Sequence, residues 1–335
     1  MPGVSFKAFA GAAVASAILG FSAATFAQAA PQPDPPKPPA AAEHEVKAKE
    51  IAGKDPYLIN LATNGYWCMS PAASVKFRQV SGAQAHPVQA FDNLYIVGTY
   101  YVSSYILKTS AGLIVWDTLN NEKEAQEILV PGMQTFNLKP EDIKLVILTH
   151  GHADHYGGAK YLQDTYHVPI ALSGPDWELM AATAASRPNS PPPPTKDRVL
   201  TDGQKITIGD TTVEIVLTPG HTPATVSSLV TVNEKNLPQV MALWGGTAYP
   251  ATMEALGQMR TSIQHFKDRA KAAGAMGILN THGFFDKINE RILSRGNFTS
   301  DNPLITGKDR VQGSLAIYAE CLEAQAAWYT AMGRK

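Results

Sequence analysis

The chain has 335 residues, 44% of them hydrophobic, 17% charged and 8% aromatic, with a formal net charge of -1. That composition supports a sizeable core and excludes a disordered or fibrous chain. Near-neutrality, with no run of Lys or Arg, gives no long-range field toward nucleic acid or an anionic membrane, so neither is expected as a partner.

Residues 1–29 are expected to be an export signal. Lys7 supplies a weak positive start, Ala8–Phe26 is apolar, and Ala27-Gln28-Ala29 is an A-x-A cleavage site. A membrane anchor is the alternative, because about 19 apolar residues approach the length of a span. The small residues and the A-x-A ending favour cleavage near Ala29, a mature start at Ala30 and no stable membrane anchor. The predicted location is periplasmic or secreted. Disulfides persist in such compartments. Cys68 and Cys321 either bridge, tying the N-terminal segment to a C-terminal helix, or remain two separate buried thiols.

Residues 30–90 read as a Pro/Ala-rich linker and an N-terminal loop region. Within them, residues 31–43 (PQPDPPKPPAAAE) are expected to be extended and solvated. The folded domain is expected over residues 91–335. Strands are predicted at Leu94–Val97, Val102–Leu107 and Leu113–Trp116, followed by a helix over Glu122–Phe136. Ile143–Leu148 is a strongly β-prone run, Gly157–Tyr166 a short helix and Ile170–Leu172 a strand. The Pro-rich stretch Pro188–Pro194 is a loop. Lys205–Ile208 and Thr212–Leu217 form a hairpin across Gly209-Asp210. Ser227–Val232, Val240–Leu243 and Ile278-Leu279 are further strands. Helices follow at Thr252–Ala273 and Asp309–Met332. Strands and then a helix, twice over, predict two packed sheets with helices outside.

The chemistry concentrates in Thr149-His150-Gly151-His152-Ala153-Asp154-His155, directly after the Ile143–Leu148 strand. Imidazole nitrogens and a carboxylate are zinc ligands, and four of them within six residues is a specific signal. His150 and His152 can face one ion, and Asp154 and His155 a second. His221, in Thr218-Pro219-Gly220-His221-Thr222, and His282, in Asn280-Thr281-His282, also follow strands and are candidate ligands. His44, His86, His167 and His265 read as surface or structural residues. No Gly-x-Ser-x-Gly elbow is present. Trp67, Tyr156, Tyr249 and Phe284 are open between lining a pocket and packing the core.

The His-x-His-x-Asp-His motif, the strand-end Pro-Gly-His-Thr and the third strand-end histidine resemble the metallo-β-lactamase superfamily over roughly residues 91–290. The resemblance implies an αββα sandwich with a metal site on one edge. It implies two zinc ions, the first held by His150, His152 and His221, the second by Asp154, His155 and His282. Asp117, at a strand end, matches a position that orients the ligand loop. Many members place a bridging Asp after the strand that here reads Val240–Leu243, and others use a cysteine ligand. Here Trp244-Gly245-Gly246-Thr247 supplies neither, which is similar to the third subclass of the class B β-lactamases. Where β-lactam-cleaving members carry a serine or similar residue for the substrate carboxylate, this chain offers Thr247.

The implied activity is hydrolysis of a β-lactam amide by a zinc-activated water, with Asp154 as the catalytic residue that orients it, and hence antibiotic resistance. Hydrolysis of another carbonyl substrate, a lactone or ester, is the alternative. A non-catalytic zinc protein is a third reading, and the full set of six ligands weighs against it. The partner in either hydrolytic reading is a small molecule.

Overall fold

A computed structural model describes residues 36–63, 67–71, 80–293 and 301–334. The expected export segment, residues 1–29, lies outside them. Everything described belongs to one unit, Pro33–Lys335.

The N-terminal region differs from the expected linker and loop. It forms α1 (Pro39–Ala52) and α2 (Pro56–Thr63). Proline density misleads here because Pro39 sits at the first helical position, where its missing N–H costs nothing. The alanines that follow have the highest helix propensity. Ala41, Ala48 and Ala52 are buried, and their small size lets α1 lie close against the C-terminal helix α10 (Lys308–Ala331). His44 Nδ1 lies 2.7 Å from Glu320 on α10, a structural role as read from the sequence.

Two sheets follow. The first contains β1 (Val88–Gln89), β2 (Leu94–Gly98), β3 (Ser103–Thr109), β4 (Gly112–Trp116), β5 (Ile143–Ile147), β6 (Ile170–Ser173) and β7 (Arg198–Leu200), in that order. It is antiparallel from β1 to β4 and parallel from β4 to β7. The second contains β8 (Lys205–Ile208), β9 (Thr211–Leu217), β10 (Val226–Glu234), β11 (Leu237–Trp244) and β12 (Gly277–Asn280), ordered β12-β11-β10-β9-β8. Strand pleating sends alternate residues to opposite faces. Met241, Leu243 and Leu279 join the core between the sheets, whereas Ala242, Trp244 and Ile278 face the outer core. That outer core is filled by α8 (Met253–Ala272), through Leu256, Met259, Ile263 and Phe266, and by α10, through Leu315, Tyr318 and Leu322.

The other helices are α3 (Glu122–Glu124), α4 (Val130–Gln134), α5 (Ala153–Tyr156), α6 (Ala159–Tyr166), α7 (Gly174–Ser186) and α9 (Ile288–Leu293). Leu162 and Trp177 pack α6 and α7 on the first sheet. The architecture is the expected αββα sandwich.

The helix predicted as continuous over Glu122–Phe136 is broken by a π turn at Ala125–Leu129. Val130 N–H reaches back five residues to Ala125 O, and Pro131 has no N–H to continue the regular ladder. Cys68 and Cys321 form a disulfide across a Cα separation of 4.4 Å. Among the described residues no helix is long and apolar enough to cross a membrane.

Candidate metal centre

Strands β4, β5, β9, β11 and β12 end beside one another, and the loops they feed carry the site. β5 runs into Thr149 and His150. His152 precedes α5, whose first turn carries Asp154 and His155. His221 follows β9 and His282 follows β12. The structure brings together the two triads read from the sequence. His150, His152 and His221 form one, and Asp154, His155 and His282 the other, each with its ligand atoms within 4.8 Å of one another.

Four of the five imidazoles are oriented from behind. Nδ1 of His150 lies 3.0 Å from Gly245 O, His155 Nδ1 2.7 Å from Asp117 Oδ2, His221 Nδ1 2.8 Å from Ala248 O, and His282 Nδ1 2.8 Å from Tyr101 O. With a proton on each Nδ1, the lone pair sits on Nε2 and faces into the site. Nε2 of His150 is 3.1 Å from Nε2 of His221, and the His155–His282 pair is 3.2 Å apart. Two such lone pairs attract only with a cation or proton between them. Tetrahedral zinc, with nitrogens at about 2.0–2.1 Å, sets them about 3.3–3.4 Å apart. The donor sets therefore fit zinc.

The electrostatics of the two triads differ. Burial pushes His150 well below the usual imidazole range, with the neighbouring histidines adding to it. Burial and then His152 hold His221 at about 3. Burial and then His155 hold His282 at about 4. Burial also lowers His152. His155 is opposite in sign: burial opposes its charge, but Asp154 and Asp117 outweigh it and raise the imidazole. Burial likewise opposes ionisation of Asp154, yet His155, His282 and His152 together hold its carboxyl down at about 2.

Asp117, at the end of β4, is fully buried. Oδ1 accepts from Thr149 N–H at 2.7 Å, and Oδ2 accepts from the Thr149 hydroxyl at 2.8 Å and faces His155. Its φ of 57° is left-handed, a conformation Asp tolerates better than most residues. Gly245 and Gly246 are demanded by crowding. A Cβ on Gly246 would stand 2.6 Å from His221 Cβ, and one on Gly245 would strike Val226 O. A side chain on either glycine would collide with these neighbours, so neither position supplies a carboxylate to the site without a shift of the loop.

The site opens into a cleft of about 590 Å³ on the three-histidine side. Thr222, Pro223, Tyr249, Pro250, Glu254 and Gln258 line it beside His152 and His221. Thr247 does not. It is 5% exposed, its carbonyl accepts from Tyr318 Oη, and it lines an internal cavity with Trp67 and Trp244. Of the four aromatics left open by the sequence, Tyr249 lines the cleft. Phe284 stacks on Tyr101 beside His282. Trp67 and Tyr156 are buried, Trp67 donating to Phe285 O at 2.8 Å. Sequence reasoning missed Tyr101, whose ring meets His282 edge-on at 4.9 Å and whose hydroxyl is raised by burial and by Asp154. It missed Asp176 too, since an acid in the first turn of a helix reads as an ordinary partner of the helix dipole.

Comparisons with known proteins agree with this geometry. A model of the metallo-beta-lactamase superfamily matches residues 97–231, a stretch holding five of the six ligands. The chain is 35% identical over 104 residues to a protein of Dictyostelium discoideum named Glyoxylase B2, covering 30% of this chain and 35% of that one. It is 24% identical over 144 residues to a hydroxyacylglutathione hydrolase of Idiomarina loihiensis, covering 42% and 44%. The chain thus spans less than half the length of these two curated relatives. Among solved structures it resembles BJP-1, a subclass B3 metallo-beta-lactamase of Bradyrhizobium japonicum. The TM-score is 0.60 and the identity 25%, covering 71% of this chain and 90% of that one.

Proposed function

Because the chain belongs to the metallo-beta-lactamase superfamily and resembles its subclass B3, we propose that it is an exported two-zinc hydrolase that opens the amide of a β-lactam. The observation that carries the reading is the donor set: two triads holding one carboxylate and five imidazoles, with no cysteine ligand and no space at Gly245-Gly246 for a bridging carboxylate. Bound zinc would supply a Lewis acid for the carbonyl and lower the pKa of a water.

The chain's own residues do the rest. His150, His152 and His221 offer three neutral nitrogens beside the open cleft. Asp154, held ionised, accepts a hydrogen bond from the attacking water and fixes its direction. The cleft positions the scissile carbonyl against the three-histidine set, walled by Pro223, Tyr249 and Pro250. Export is supported by the character of residues 1–29 and by the Cys68–Cys321 bridge, which suits an oxidising compartment. A role in antibiotic resistance follows from the same substrate choice.

A second reading, hydrolysis of a lactone, ester or thioester, is favoured by the sequence similarity to the glyoxylase and hydroxyacylglutathione hydrolase. Assay of the zinc-loaded chain against a penicillin, a carbapenem, a lactone and an aryl ester separates the two. Turnover of β-lactams is expected, falling by more than about 100-fold in His152→Ala, since a direct ligand exceeds the 10–100-fold effect of outer partners. Lactone or ester turnover without β-lactam turnover overturns the first reading in favour of the second.

A further inference from the structure

Asp176 is a fully buried carboxylate that neither triad uses. It stands in the first turn of α7, yet it does not cap that helix. Oδ1 accepts from Gly151 N–H at 2.9 Å. Oδ2 accepts from Ala224 N–H at 2.7 Å, with the Ser173 hydroxyl at 3.3 Å. Gly151 lies between His150 and His152, on the loop leaving the first sheet. Ala224 lies three residues after His221, on the loop leaving the second. One side chain therefore joins the two loops that supply the three-histidine set.

The packing around this contact admits little slack. A Cβ on Gly151 would come 2.7 Å from Asp176 O, so glycine there lets the ligand loop rest on the start of α7. On the other loop a Cβ on Gly220, whose φ is 137°, would come 2.5 Å from Met259 of α8. The His221 loop is thus pressed by α8 from one side and drawn toward α7 through Ala224. Among the described residues, His152 is the one imidazole of the site with no hydrogen bond behind its ring, so the backbone on which Gly151 sits fixes its place. The electrostatics agree, since Asp176 is among the charges that act on His152.

We propose that Asp176 is the positioning residue of the three-histidine site, fixing the separation of the His150–His152 and His221 loops. Its effect on the Asp154–His155–His282 set is small. That set is held by Asp117 and by Tyr101 O, and neither touches Asp176. The inference rests on the two-triad metal reading and not on the choice of substrate.

Zinc binding to wild type, Asp176→Ala and Asp176→Asn, followed by native mass spectrometry and competition with a chromophoric chelator, tests it. Wild type is expected to take two ions. Asp176→Ala is expected to keep one at near wild-type affinity and to bind the other about 10–100-fold more weakly. Asp176→Asn keeps one acceptor oxygen and is expected to fall between them. Cobalt in place of zinc then reports which set is lost, through the absorption of the ion in the three-nitrogen site. Two ions bound by the Asn variant with unchanged affinities overturn the proposal, as does equal weakening of both sites. Failure of wild type itself to bind two ions breaks the metal reading instead. Should the Ala variant not fold, the Asn variant alone decides.

Discussion

The two triads share a backbone origin and differ in how they are built. Both draw ligands from the loop after β5 and complete themselves from the second sheet. The three-histidine set is neutral and is held by backbone carbonyls, Gly245 O behind His150 and Ala248 O behind His221. The Asp154 set contains a carboxylate and adds a second, buried one behind it, Asp117 at His155, beside the Tyr101 carbonyl at His282. The first site depends on shape, and the second combines shape with charge. A cation should thus be lost first from the three-histidine set, whose ligands bring no charge of their own, and the open cleft lies on that same side.

The sharpest way to break the comparison is to give the neutral site a charge. Gly246→Asp places a carboxylate on the loop after β11, against His221. The Cβ would overlap His221, so the expected result is loss of the three-histidine ion by more than about 100-fold, beyond the effect of an outer partner. Isothermal titration with zinc reads this directly. Tighter binding of two ions would show that the loop yields and that crowding at Gly246 does not exclude a bridging ligand.

Removing charge from the other site comes next. Asp117→Asn keeps the size of the side chain but puts an NH₂ where one acceptor oxygen stood, facing either the Thr149 backbone or His155. The expected outcome is about 10–100-fold weaker binding at the Asp154 set with the three-histidine set nearly unchanged. It also costs about 1–3 kcal/mol of metal-free stability if a buried donor is left unpaired. Zinc stoichiometry and thermal unfolding measure the two effects. Equal loss at both sites would erase the distinction between them.

The smallest effect is on pH dependence. In the metal-free chain, burial holds His221 at about 3 and His282 at about 4, and lowers His150 and His152. The unfolded chain takes up these protons as pH falls below 6.5, while the folded chain takes them up only near its lower values. Stability present above 6.5 is therefore lost as pH falls toward about 4 and then about 3. His155 runs the other way. Its raised value gives stability that is present below 6.5 and lost as pH rises through the folded value. Four lowered imidazoles outweigh one raised. The unfolding midpoint of the metal-free protein should fall between pH 7.5 and 5, and His221→Ala should flatten that fall. A midpoint that rises toward pH 5 would mean that the imidazoles are not kept neutral.

The ligands were legible because metal chemistry leaves few alternatives. Three histidines and an aspartate in six residues after a β-prone run have little other use, and strand ends are where such residues become exposed. The strands were legible for a similar reason, since Val, Ile and Leu recur in short runs bounded by glycine and polar residues. The failures share a different cause. α1 was hidden by the prolines before it, although one of them is a helix start. The π turn at Ala125–Leu129 lies in the backbone hydrogen bonding just before Pro131, which periodicity does not register. Asp176 and Tyr101 act through contacts between segments distant in sequence, and neither residue type announces such a role. Thr247 was assigned from its place after β11, but the turn at Gly245-Gly246 directs it inward, under Tyr318.

The Cys68–Cys321 bridge has a consequence for how the molecule yields to force. All six ligands lie between the two bridged residues, inside a covalent ring. Tension applied at the chain ends, by a translocating motor or a processive protease, passes through sulfur and bypasses both sheets. The helical ends, α1 and the last turns of α10, can be stripped while the ring stays shut. A puller working from either end meets a stop before it can reach the ion-binding loops.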